Sequence, residues 1–374
     1  MKKSTNRLKT FIKSCMVNTA VVVFSVTVAL VGTEIHYRLK YPKVPVFVNE
    51  REKFSSYDQR IGWINRAGAV GTMEGEDFNV SVSINHLGLR DKGYDHERSS
   101  HFRILVLGDS FTWGFGVEQD ERFTDLMEKG LEKTEVINMS CSGYGQDQEL
   151  LLFQREGVKY KPDLVIINVH FDSDIWNNYT SRSYGYNKPV FLYKKNRLVL
   201  TNVPVPHASR GEQVSKWMTE HLRSWPYIKI IPIKRRSLDD YFIDFINTCT
   251  GDDSGEVVKS NIPAEQLMVY LLEELHSVCN QNGCELLVLL SPNILPGGQK
   301  IMPDMSMEHV KEELKKKAIP FLELEIAFQK YFKDHAGSHV TFPTDRHWNT
   351  KGHKVVADYL LTNISENNKN RGED

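Results

Sequence analysis

Charge imbalance, cysteine motifs and internal repeats are all missing from this chain of 374 residues, and each absence narrows what it can be. Lys and Arg number 47 against 48 Asp and Glu, a formal net charge of -1. No global field therefore draws it to nucleic acid or to an acidic polymer, and partners must be argued from local sites. The five cysteines show no C-x-x-C pair and no His/Cys cluster, so no metal centre is expected. Cys141, Cys249, Cys279 and Cys284 lack the spacing of a disulfide framework, and the expectation is buried free thiols with at most one bridge. Cys15 precedes the apolar run and is not placed like a lipoprotein cysteine. No repeat or low-complexity array appears.

Acidic residues are absent from the first thirteen positions, where Lys2, Lys3, Arg7, Lys9 and Lys13 lie. The twenty residues from Ser14 to Thr33 then carry no charge. At about 1.5 Å per residue such a helix just crosses a hydrocarbon core of about 30 Å. The basic flank belongs in the cytoplasm, which puts the bulk of the chain on the extracytoplasmic side. A cleaved signal peptide competes, but no A-x-A site follows the apolar stretch. The expected organisation is a basic segment 1–13, a transmembrane anchor 14–33, a linker 34–56, a catalytic domain 57–364 and a disordered polar tail 365–374.

Residues 57–98 read as short strands and turns, with apolar alternation from Phe78 to Ile84. From residue 102 the pattern becomes alternating strand and helix. Phe102–Leu107, Val136–Met139, Leu164–Val169, Leu286–Leu290 and Ile319–Leu322 read as strands, separated by segments of helical spacing. Residues 177–260 interrupt this rhythm as an insertion of loops with one or two helices, including the basic Lys234-Arg235-Arg236. Repeated β-α units predict an α/β fold with a mostly parallel sheet covered on both faces.

Two short motifs carry chemistry. Gly108-Asp109-Ser110 follows the first apolar strand, at the sheet edge where ligands bind in open parallel sheets. A serine hydroxyl is a poor nucleophile until a base takes its proton. Near the other end, Asp345-Arg346-His347 precedes the last helix, in the loop expected after the last strand. Residues i and i+2 of an extended segment point the same way, so Asp345 can orient the His347 imidazole. Together they predict a Ser110–His347–Asp345 catalytic set. His170 and Asp172 at a strand end are read as structural or substrate-binding, and His353 as packing. Trp113, Trp176 and Trp348 lie near site loops and are candidates for stacking on sugar rings or for ordinary packing; Asp109, Trp113, Asn177 and Trp348 are the substrate-binding candidates.

These residues resemble the SGNH hydrolases, the GDSL-type esterase superfamily, over about residues 58–363. The likeness lies in Leu107–Gly114, in Asn138–Gly145 and in Asp345 through Gly352-His353, and Ile61 to Arg90 is similar to an extension of membrane-linked members. It implies a flavodoxin-like three-layer α/β/α fold, no metal or organic cofactor, and an oxyanion hole built on Ser110 and Gly143. One block departs: where the family has Asn-Asp, this chain has Ser173-Asp174. Ser173 then stands as a weaker third oxyanion donor, with Asn177 or Asn178 as substitutes, and Asp174 as a loop tie. The activity implied is ester hydrolysis, first of O-acetyl groups on extracytoplasmic glycan. Transfer of the acyl group to a polysaccharide hydroxyl, a lipid ester substrate, or a non-catalytic glycan-binding protein are the alternatives.

Overall fold

The structure, a computed structural model, describes residues 2–40, 50–97, 100–229, 231–233, 236–252, 257–297, 301–302 and 305–371. The chain forms two compact units, Met1–Phe47 with Ala208–Ser254, and Val48–His207 with Gly255–Asp374.

The larger unit begins with helix α2 (Glu50–Phe54) and two antiparallel pairs, β1 (Ser55–Asp58) with β2 (Gly62–Asn65) and β3 (Val70–Glu74) with β4 (Asn79–Ser83). The central sheet follows. Its strands are β5 (Phe102–Leu107), β6 (Thr134–Asn138), β7 (Leu164–His170), β10 (Glu285–Ser291) and β11 (Phe321–Glu323). All pairings in it are parallel, and the spatial order is β11-β10-β7-β5-β6. In order of appearance this is 2-1-3-4-5, the flavodoxin-like order, whose direction reverses between the first and third strands.

Strand period two sorts the apolar side chains into two cores. Leu105, Leu107, Val165 and Ile167 face one way, onto helices α5 (Gln146–Arg155), α10 (Ala264–Gln281) and α11 (Met305–Lys316). Ile104, Val106, Val136 and Ile166 face the other, onto α4 (Phe123–Gly130), α12 (Leu324–Asp334) and α13 (Thr350–Arg371). Both faces of the sheet are therefore covered, as the strand-helix alternation predicts. A third cluster under the β1–β4 extension joins Phe54, Met73 and Val82 to Trp113 and Phe115.

Several boundaries differ from the sequence expectation. Residues 34–40 continue the first helix, and Glu50 and Phe54 of the expected linker are buried. Helix α12 stands between the last strand and the Asp345–His347 loop. Helix α13 runs on to Arg371 into the expected tail, since no Gly or Pro stops it before Gly372. The insertion is divided. Residues 177–207 belong to the larger unit and include the hairpin β8 (Val190–Lys194) and β9 (Arg197–Thr201). Lys234 and Arg235 lie outside the described residues.

The smaller unit holds α1 (Lys2–Lys40), α7 (Arg210–His221), α8 (Trp225–Ile228) and α9 (Leu238–Thr250). Ser209 caps α7 in a capping box with Glu212. Gly211 lets α7 approach α9 closely: its N–H donates to Asn247 Oδ1 at 2.7 Å, and a Cβ there would lie 2.4 Å from the Ile243 carbonyl oxygen. Within Met16–Lys40 of α1 an apolar stretch reaches a mean hydropathy of 1.9, and the helix is long and apolar enough to cross a membrane.

Candidate active site

Strand β5 ends at Leu107, and Gly108 follows it beside the reversal point of the sheet. A Cβ at Gly108 would lie 2.1 Å from Thr112 Oγ1, so only glycine lets the chain turn this tightly into α3 (Ser110–Trp113). Asp109 caps that turn, its Oδ1 accepting from the Phe111 N–H at 2.9 Å. Buried amides fasten the turn to neighbouring strands: Asn138 Nδ2 donates to the Thr112 carbonyl at 2.7 Å, and Asn168 Nδ2 to Thr112 Oγ1 at 3.2 Å. Ser110 is thereby held at the start of a helical turn, where its own backbone N–H has no intrahelical acceptor.

The loop 335–349 delivers the partners. Ser110 Oγ lies 2.7 Å from His347 Nε2, and His347 Nδ1 lies 2.5 Å from Asp345 Oδ1. The same carboxylate oxygen accepts the His347 backbone N–H at 2.8 Å, which locks the i, i+2 turn. With Nδ1–H donating to Asp345, Nε2 is left to accept the serine proton. Rings of Phe115 and Phe111 flank the imidazole at 4.2 and 4.6 Å between centroids. Burial works to raise the Asp345 pKa, but hydrogen bonding and the charge of His347 outweigh it and hold the carboxyl below its usual value.

Gly143 takes a left-handed conformation at φ +77, and a Cβ there would lie 2.8 Å from Arg51 Nη1 and 3.1 Å from the Tyr184 ring. Gly143 and Ser110 border the same cavity, of about 410 Å³, with Arg51, Phe115, His170 and Tyr184 among its walls. Arg51 is held over the Tyr184 ring at 4.3 Å and paired with buried Glu50 at 2.8 Å. Sequence reading missed both, because residues 50 and 51 sit in what reads as a linker and meet the site only through contacts with Ser142 and Tyr184. No local signal announces them.

Ser173 also reaches the cavity, but its hydroxyl is at 3.3 Å from Asp109 Oδ2 and from the His170 carbonyl. Asn177 and Asn178 do not replace it. Asn177 Nδ2 faces the Tyr144 carbonyl and the Tyr184 hydroxyl, each at 3.4 Å, and Asn178 Nδ2 donates to Gln146 Oε1 at 2.6 Å. The reading of Asn177 as a substrate contact is therefore corrected: it is a buried loop tie. Trp113 and Trp348 are corrected too. Trp113 is buried beneath the Arg90 guanidinium, 4.5 Å from its ring, and Trp348 is buried among Phe111, Phe123 and Phe328. Both had the volume and apolar contact area to make the core their better location. Trp176 is exposed, and His353 is buried with its Nδ1 accepting from the Phe123 N–H at 3.2 Å.

Below the cavity lies a buried acidic cluster. Asp109 is raised to about 6, first by burial, against the Phe111 N–H and the charge of His347. Burial and then Asp109 push Asp174 well above the carboxylate range, although Gln146 Nε2 and the His170 N–H donate to it at 2.6 and 2.8 Å. Glu149 is raised likewise by burial and by repulsion from Asp174, Asp109 and Asp147. Burial and mutual repulsion thus both favour the protonated forms of these carboxyls. His170, stacked on Phe111 at 3.9 Å, is lowered to about 3 by burial and by the charges of His347 and Arg346. It therefore stays neutral and serves as a wall of the cavity. The Asp172 side chain, its suggested partner, lies outside the described residues.

No family model and no curated protein matches the chain. Among solved structures it is similar to an acetylxylan esterase from Geobacillus stearothermophilus, at 16% identity over 71% of this chain and 94% of that one, with a TM-score of 0.35. A member of the lipolytic protein G-D-S-L family from Veillonella parvula aligns at 11% identity over 70% of this chain and 97% of that one, with a TM-score of 0.37. An α/β hydrolase enzyme from the metagenome of Lake Arreo aligns at 13% over 71% and 96%, with a TM-score of 0.38. Likeness at this level assigns no substrate and no residue role, which rest on the geometry above.

Proposed function

We propose that this chain is a serine ester hydrolase of SGNH type that removes short O-acyl groups, acetyl first, from extracytoplasmic glycan. The observation that carries the reading is the 2.7 Å contact between Ser110 Oγ and His347 Nε2, with Asp345 at 2.5 Å on the far side of the ring. Ser110 Oγ attacks the acyl carbonyl carbon as its proton passes to His347 Nε2, and Asp345 stabilises the imidazolium. The N–H groups of Ser110 and Gly143 receive the oxyanion. Collapse expels the alcohol, which takes the proton from His347, and water then releases the acyl group by the same steps. The chain's own residues account for each proton, so the cycle asks for no cofactor. A cavity of about 410 Å³ walled by Phe115 and by the Arg51–Tyr184 pair suits a short acyl group. The basic flank and apolar length of α1 support an uncleaved anchor that leaves this unit outside the cytoplasm.

A fluorophosphonate probe tests the nucleophile directly. Labelling of the full chain that disappears in Ser110→Ala is the expected result; no labelling leaves a non-catalytic protein, and labelling that persists in the variant moves the nucleophile away from Ser110. Acetate release from O-acetylated polysaccharide, wild type against His347→Ala, tests the substrate. A rate that climbs with acyl length in a chromogenic ester series would sink the short-acyl reading while sparing the nucleophile.

A further inference from the structure

The uncharged run of α1 ends at Glu34, and that carboxylate is fully engaged within the smaller unit. It accepts the backbone N–H groups of Arg223 and Ser224 at 2.9 and 3.0 Å and the Ser224 hydroxyl at 2.8 Å. One turn later Arg38 Nη2 donates to the His221 carbonyl at 3.3 Å, and the Tyr37 ring meets Tyr227 at 4.9 Å. The turn between α7 and α8 is thus pinned to the far end of the apolar helix. Twenty uncharged residues cover about 30 Å, the thickness of the hydrocarbon core, so Glu34 and the groups it holds stand at headgroup level.

Helix α7 ends at this pinned turn. Trp217 precedes Arg223 by six residues: the four to His221 rise about 6 Å along the helix axis, and the last two add at most about 7 Å of extended chain. The headgroup layer on each side is itself about 5–8 Å deep. Trp217 therefore comes within that layer where α7 lies along the membrane surface. It is 53% exposed, with Val214 and His221 on the same helical face. On α9, which packs against α7, Phe245 is 62% exposed and Tyr241 lies one turn before it. A helix pair facing only water would carry polar groups at such positions. Tryptophan, with an apolar body and one N–H, partitions to the bilayer interface.

We propose that helices α7 and α9 form a seat on the outer leaflet of a phospholipid bilayer, with Trp217 and Phe245 placed among the headgroups. This rests on the reading of α1 as a membrane span. It assigns the helix pair a task outside the chemistry: holding the chain against the membrane at a second point beyond the anchor.

Trp fluorescence of the full chain, reconstituted in phosphatidylcholine vesicles with and without bromine on the upper acyl chain, tests it. Helix α1 contains no tryptophan, and of the six in the chain Trp63, Trp113, Trp225 and Trp348 are buried. Brominated lipid should quench the wild type, Trp217→Phe should remove at least half of that quenching, and Phe245→Trp in the Trp217→Phe background should restore it. Quenching that is absent, or unchanged in Trp217→Phe, overturns the seat. Flotation with vesicles after an alkaline wash reads the anchor separately. A chain that floats but is unquenched loses the seat alone, including the case where crosslinking shows a second copy over Trp217. A chain that does not float loses both.

Discussion

In the proposed cycle one glycine and one serine bear on how well the cavity can hold negative charge. Gly143 is the proposed backbone donor: it lines the cavity in a left-handed conformation, and its missing Cβ leaves room for Arg51. Gly143→Ala keeps the N–H but displaces it, since its Cβ would meet Arg51, and should lower kcat by up to about 10²–10³, the cost of losing one such donor, with a smaller change in KM. Ser173→Ala should cost less than about tenfold, because its hydroxyl makes only long contacts with Asp109 and the His170 carbonyl. Steady-state kinetics on a short ester compares the two, and a Ser173→Ala loss as large as that of Gly143→Ala would make the hydroxyl a true third donor. Ser110, His347 and Asp345 could be picked out from sequence because each sits beside a local mark: a strand end, a helix start, an i, i+2 pair. Trp113 and Trp348 misled for a physical reason. An aromatic near a site loop is equally near the core, and only packing says which side it takes.

Between elements, one ion pair binds the insertion to the sheet-covering layer. Lys188 Nζ contacts Asp147 of α5, and both side chains are fully buried. The lysine also donates to the Asn177 and Pro189 carbonyls, at 2.8 and 3.1 Å. Lys188→Met leaves Asp147 buried beside Glu149 and should destabilise the fold by about 3–5 kcal/mol, read as a lowered urea midpoint. Adding Asp147→Leu should recover most of that loss. A single variant with an unchanged midpoint would show that the pair contributes nothing net. The strands and main helices of the α/β layer were legible in sequence, because burial on both faces demands unbroken apolar runs and helices demand their own spacing. The division of the insertion was not, since Lys188 and Asp147 are 41 residues apart and nothing local links them. Glu50 and Arg51 became part of the cavity wall for the same reason.

For the molecule as a whole, buried titratable groups set the response to acid. His170 and His353 are both held near 3, first by burial, while in an unfolded chain a histidine titrates near about 6.5. Between these values the unfolded state binds more protons, so this contribution is present above about 6.5 and is lost as pH falls toward 3. Asp109 and Asp91, raised to about 6 by burial, act with the opposite sign between about 6 and 4, because there the folded state keeps protons that the unfolded chain releases. The difference made by one histidine is therefore a cleaner measure than the raw profile. His353→Gln, which keeps an acceptor for the Phe123 N–H, should reduce the fall in urea midpoint between pH 7 and pH 4.5. An identical fall in variant and wild type would show that His353 titrates normally. Sequence alone determined the α/β class, the apolar anchor-like helix and the two loops of the triad, because periodicity, charge gaps and turn chemistry are local properties. Tertiary structure alone decided the walls of the cavity, the burial of the carboxyls beside it and the attachment of the turn between α7 and α8 to α1, because each depends on groups far apart in the chain meeting in one place.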